Sequence, residues 1–176
     1  MTVLQKNVCD TLVKKSEVIG AGNFSFFIFK ERNELKKYFR AALSNLARDG
    51  IFILEMAGGP GFLKSGREQR SYKLPGASKK YTYYWDQKSY DPVQAHGMYA
   101  IHFKETNGKF HKDVFVYDWR VWTIPELKEI MMECGFSDVA CYWETTGKDG
   151  KGTGDYVRTE VGTNDYAWIA FVVGIK

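Results

Sequence analysis

The stretch from residue 17 to residue 56 constrains the fold of this chain more than any other. It opens with "EVIGA" and closes with "GIFILEM", two short, nearly continuous apolar runs. Such runs are expected of strands covered on both faces. Between them Leu35, Tyr38, Phe39, Ala42, Leu43 and Leu46 recur at the three-and-four spacing of one helical face. Asn33 reads as the N-cap of that helix and Gly50 as its stop. A strand, a helix and a strand in this order predict a parallel pair joined by a right-handed crossover.

A second helix begins at "TIPE". Thr123 and Glu126 have the spacing of a capping box, and Pro125 falls in the first turn, where its missing N–H is harmless. Leu127, Ile130, Met131 and Cys134 line one face, and Gly135 ends it. The region from about 80 to 120 differs in character. There "YTYYWDQ", "GMYAIHFKE" and "FHKDVFVYDWRVW" are aromatic-rich and mixed. The last two flank "TNGK", whose Asn107-Gly108 predicts a tight type I′ turn, and so an antiparallel hairpin inserted before the second helix. Residues 58–80 and 147–154 are rich in glycine and polar residues and read as loops. No internal repeat is visible.

A length of 176 residues is that of one domain, 1–176, and 44% hydrophobic and 16% aromatic residues suffice for a sizeable core. The net charge of +4 is mild and its basic residues are scattered among acids, which argues against a dedicated nucleic-acid binder. Cys9, Cys134 and Cys141 show no metal-ligand spacing, and their odd number fits a reduced, cytoplasmic setting. The longest apolar run, "WIAFVVGI", suits a buried strand rather than a membrane span. The opening "MTVLQKNVCD" lacks the regions of a signal peptide.

After the first strand, "GAGNFSFFIFK" poses a choice. A Gly-x-Gly following an apolar run suits a phosphate loop, and Glu55 at the end of the next strand could mimic a ribose-binding acid. A phosphate loop, however, opens its helix at once, whereas here Phe, Ile and Ser fill the gap up to the cap at Asn33. The favoured reading is a strand whose carboxyl end, Asn23-Phe24-Ser25, opens into a ligand crevice.

At these residues the chain resembles the class I S-adenosylmethionine-dependent methyltransferases. The likeness is carried by "TVLQKNV", "GNFSFFIFKERNELKKYF", "LARDGIFILEM" and "YDWRVWTIPELKEIMMECGF", in that order. It implies an α/β fold with a partial Rossmann-like sheet in three layers, helices on its faces and the inserted β-hairpin. The last strand, 166–175, is expected to lie antiparallel between 51–56 and 139–143. S-adenosylmethionine is the implied cofactor, with Asn7 and Val8 at the adenine and Asn23, Phe24 and Ser25 near the departing methyl. Family members usually carry Asp where Asn7 stands. The inserted hairpin resembles strands that cover a small-molecule substrate or mediate dimers. The family's glycine-rich first strand and ribose-binding acid have no counterpart. The chain thus resembles the second part of that fold, and the strand edge at residues 18–20 is expected to be unpaired. A completing chain, a second copy or residues 2–8 would fill that edge, and cofactor binding by the chain alone would be weak.

Methyl transfer from a sulfonium needs alignment and, for some acceptors, a base. Aromatic faces attract the cation, which singles out Phe24, Phe26, Tyr84 and Trp85, residues that otherwise read as core. His96 is the candidate base, in competition with a plain surface role. His102 and His111 flank the hairpin turn and are placed to face each other, without a third ligand for a metal. Asp118 and Arg120 either clamp a polar substrate or pair with each other, and Glu144 falls near the sheet rim. "KSGREQRSYK" reads as a solvated loop, or as a contact for an anionic substrate. The main reading is methyl transfer to a small molecule. Its alternatives are a non-catalytic subunit that binds a partner through its open edge and a nucleotide binder using Gly20-x-Gly22.

Overall fold

The computed structural model describes residues 2–73, 80–148 and 150–176. Its larger sheet has five strands in the order β1-β2-β9-β7-β8: β1 Ser16–Ala21, β2 Leu46–Gly58, β7 Asp138–Thr146, β8 Gly152–Thr159 and β9 Trp168–Ile175. β1 and β2 are parallel, with Val18 opposite Ile51 and Ala21 opposite Leu54. β9 runs antiparallel between β2 and β7, in the position expected from the sequence. Among the described residues β1 pairs only with β2, so its outer edge is free.

Helix α1 (Arg32–Asn45) buries Leu35, Tyr38, Phe39 and Ala42, as the periodicity predicts. Its ends differ from the sequence reading. The N-cap is Glu31 rather than Asn33, and no side chain caps it. The helix stops at Asn45, well before Gly50, because Leu46 already enters β2. Gly50 serves close approach instead, since a Cβ there would lie 3.0 Å from the carbonyl oxygens of Ala47 and Glu17. Helix α2 (Ile124–Glu133) carries the complete Thr123/Glu126 capping box.

Both helices lie on the same sheet face. Phe52 of β2 touches Phe39 of α1 and also Phe136, just beyond α2. Opposite Phe52, Gly174 leaves room for Met131 and Phe136. A third layer is therefore not seen among the described residues. On the other face Ile53, Phe171 and Val173 remain partly exposed.

The segment "TVLQKNV" forms no strand, and it does not cover the β1 edge. Residues 2–8 are exposed, and Asn7 closes a small turn by accepting the Cys9 N–H at 2.9 Å. The chain docks a little later, at Asn45. This buried amide accepts from Leu12 N at 2.7 Å and donates to the Asp10 carbonyl at 2.9 Å. A buried amide with its oxygen and nitrogen both satisfied ties the segment to the end of α1.

The inserted region is larger than one hairpin. Four antiparallel strands run in the order β3-β4-β5-β6: β3 Gly66–Lys73, β4 Lys80–Asp91, β5 His96–Glu105 and β6 Phe110–Arg120. The expected loop at 58–80 thus holds a short 3-10 turn (Pro60–Leu63) and the edge strand β3, with 74–79 outside the described residues. β3 is exposed throughout, so composition hid it. The loop expected at 147–154 is shorter than read, since β8, paired with β7, begins at Gly152. The β5–β6 turn is not type I′, because Gly108 has positive φ and Asn107 does not. Glu105 N–H donates to the Lys109 carbonyl at 2.9 Å and Gly108 N–H to the Glu105 carbonyl at 3.0 Å, a three-residue loop.

His102 and His111 do not face each other, because a bulge intervenes and His111 stands opposite Phe103. His102 is fully buried. Its Nδ1 accepts the Asp113 N–H at 2.8 Å, which leaves Nε2 to donate to Asp86 at 3.0 Å. Asp86 in turn takes Arg67 at 2.6 Å. His111 pairs with Glu105 at 2.6 Å instead.

Two stability predictions follow from this framework. Thr123→Ala removes one half of the capping box and should lower the unfolding free energy by about 1 kcal/mol in urea titrations. The Arg67 guanidinium, with help from His102 and against the effect of burial, holds the Asp86 carboxyl below its ordinary value. A depressed acid stabilises the fold fully above its unfolded pKa and loses that contribution as pH falls. The urea-midpoint gap between wild type and Arg67→Met should therefore be full at neutral pH and shrink below about pH 4. A gap that stays constant into acid would refute the assignment.

Candidate functional site

β1 delivers the chain to a sharp corner. Asn23 (φ 56°) and Phe24 (φ 53°) both adopt left-handed backbone. Asn tolerates this conformation, whereas for Phe it costs about 1–2 kcal/mol. Two contacts offset the strain. Glu55 Oε2 accepts the Asn23 N–H at 2.5 Å, and the Phe24 ring meets Phe27 and Trp119, each at a centroid distance of 6.4 Å. Glu55 thus fastens a turn, and α1 begins only at Arg32. Gly20 lies inside β1, so the Gly-x-Gly does not form a phosphate loop.

The corner forms one wall of a cavity of about 330 Å³. The opposite wall is the four-stranded sheet, which presents Tyr83, Trp85, Tyr117 and Trp119. Side chains alternate along a strand, so residues two apart share a face. Trp119 packs against Tyr117 at 4.5 Å and against Phe27 at 5.7 Å. Glu68 and Arg70 of β3, 3.5 Å apart, also line the cavity, as does Tyr166. Burial pushes the Tyr83 and Tyr117 hydroxyls upward, so they stay protonated at neutral pH. A cavity with aromatic walls, one carboxylate and one guanidinium suits a small polar or cationic ligand.

Of the residues singled out from the sequence, Asn23, Phe24 and Trp85 converge here. Ser25 is exposed at the start of the short 3-10 turn Ser25–Ile28. Asn7 and Val8 belong to the exposed N-terminal segment and do not line the cavity. Phe26 is core, at 1% exposure. Tyr84 turns to the opposite sheet face, against Phe110.

Asp118 and Arg120 also lie outside the cavity, and they do not pair with each other. Asp118 binds Lys30 and lies 2.6 Å from His96 Nε2. Arg120 donates to the Lys30 carbonyl at 2.8 Å and stacks on Trp122 at 3.6 Å. His96 lines a separate polar hollow with Lys30 and Arg120. Glu144 accepts the Gly154 N–H at 3.0 Å within the β7–β8 hairpin. Tyr83, Tyr117 and Trp119 were not singled out from the sequence, although their two-residue spacing from Trp85 and from one another was readable.

A larger cavity, about 600 Å³, lies elsewhere. Its lining carries no ionisable group, so the smaller aromatic cavity is the better candidate for chemistry. Among the described residues no group of three or more His, Cys, Asp or Glu could hold a metal ion. No described helix is long and apolar enough to cross a membrane.

No protein-family model matches the sequence, and comparison with curated proteins finds no match. Solved structures do resemble the chain. An S-adenosylmethionine-dependent methyltransferase from Clostridium acetobutylicum is similar with a TM-score of 0.61 at 17% identity, over 96% of this chain and 62% of that one. An amino pentose methyltransferase from Micromonospora echinaspora, solved with S-adenosylmethionine bound, gives 0.64 at 12% identity over 97% and 63%. DesVI of Streptomyces venezuelae gives 0.67 at 14% identity over 97% and 63%. The chain thus spans under two thirds of the length of each of these relatives. At such identities the likeness is one of fold: the chain has the α/β architecture found in S-adenosylmethionine-dependent methyltransferases.

Proposed function

We propose that this chain is the C-terminal part of an S-adenosylmethionine-dependent methyltransferase that acts on a small molecule. The observation that carries this reading is the aromatic cavity at the carboxyl end of β1, where open α/β sheets bind their ligands. S-adenosylmethionine supplies an electrophilic methyl group on a sulfonium. The residues present fit that charge, since Phe24, Trp85 and Trp119 offer aromatic faces and Asn23 a polar edge. The acceptor then lies against Tyr83, Tyr117 and Trp85, under the four-stranded sheet. His96 does not line the cavity, so where an acceptor must lose a proton the role falls to Glu68. Three free cysteines, two of them buried, support a reducing, cytoplasmic location.

A second reading, a partner-binding or non-catalytic subunit, is favoured by the free outer edge of β1, where Val18 is 55% exposed. Such an edge takes up another strand readily, from a completing chain or a second copy.

Two measurements separate these readings. Calorimetry with S-adenosylmethionine should show weak but saturable binding, at about millimolar concentration, that Phe24→Ala weakens about tenfold further, the loss of one cation–π face. Heats that stay unsaturated and identical for wild type and Phe24→Ala well above that concentration, together with concentration-dependent association in sedimentation that Val18→Pro abolishes, would favour the second.

A further inference from the structure

The geometry points to a second, separate binding site in the cavity of about 600 Å³, one that takes a neutral, planar, ring-bearing apolar molecule. The cavity lies across the Pro60–Leu63 turn from the aromatic site, with Leu63, Trp122, Ile124, Trp143 and Trp168 among its walls. Its volume falls in the range of small-molecule pockets, roughly 300–1,000 Å³. No charged side chain lines it, and its polar side chains are Thr123, Thr163 and Asn164. A charged ligand would lose its hydration without compensation, whereas an uncharged ring system loses little.

The walls are built into the backbone. Trp168 lies against Gly58, where an added Cβ would come within 2.3 Å of the indole. Trp143 lies on Gly162 in the same way, with a Cβ approach of 2.8 Å. The two indoles meet at 4.8 Å with their planes 40° apart. Trp122 forms a fixed wall, because its Nε1 donates to the Phe29 carbonyl at 2.9 Å. Both glycines line the cavity themselves. A larger residue at either position would force an indole to shift. The chain therefore keeps indoles along the walls of an open volume, and ring faces favour flat ligands by stacking. This site does not depend on the methyltransferase reading.

The test uses N-phenyl-naphthylamine, a neutral probe that fluoresces in apolar surroundings. The chain should bind it saturably, and more tightly than the anionic anilinonaphthalene sulfonate. Leu63→Glu places a charge on a wall residue that is 40% exposed, and Ile124→Asp places one at the first turn of α2, where an acid suits the helix. Binding that either variant weakens at least about tenfold, with unchanged circular dichroism, while Tyr83→Ala leaves it intact, supports the site. No saturable signal from the wild type, binding that both wall variants leave intact, or binding that Tyr83→Ala weakens equally, would overturn it.

Discussion

The two sheets of this protein share no hydrogen-bonded strand pair among the described residues, and a packed aromatic junction joins them. Phe27 sits at its centre, fully buried, against Phe26, Phe62 and Trp119. Phe62 then stacks on Tyr99 at 5.1 Å, and the Tyr99 hydroxyl returns a hydrogen bond to the Phe62 carbonyl. Everything at the candidate site depends on this junction. It fixes the angle between the β1 corner and the four-stranded sheet, and so the width of the cavity between them. Edge-on and offset ring contacts prefer particular geometries, which gives the junction a direction that aliphatic packing would lack.

The phenylalanines that made "NFSFFIF" an odd continuation of a glycine turn are explained by this junction. Phe26 and Phe27 leave the strand to fill the space between the sheets, and Phe24 faces the cavity. The chain accepts two left-handed residues in succession to place them so. Strain of this kind persists where neighbouring contacts over-determine it, as Glu55 and Trp119 do here.

Much of the fold was legible in the sequence, and for a physical reason. β2 and β9 are apolar runs that bury alternate residues, and both helices show one-sided periodicity, so burial wrote itself into the pattern, whereas β1 is apolar in sequence yet mostly exposed at the sheet edge. β3 and β8 were not legible, because both lie exposed at sheet edges and carry no alternation to read. The site was half legible. Trp85 and Phe24 stood out as aromatics, but Tyr84, Asp118 and Arg120 differ by one position from the residues that face the cavity. Composition can nominate a strand as site-bearing, but only its register decides which alternate residues point inward.

That alternation also limits how this sheet can change length. Between Ile101 and Phe103 the β5–β6 register slips by two residues, at Asp113 with its φ of 51°. A slip of two returns every later side chain to its original face. An insertion or deletion of a single residue beside Asp113 that entered the regular ladder would instead turn Tyr117 and Trp119 away from the cavity. Keeping the pocket therefore requires length changes there to come in pairs or to be taken up by a bulge, as the one-residue slip between Gln87 and Ser89 of β4 is.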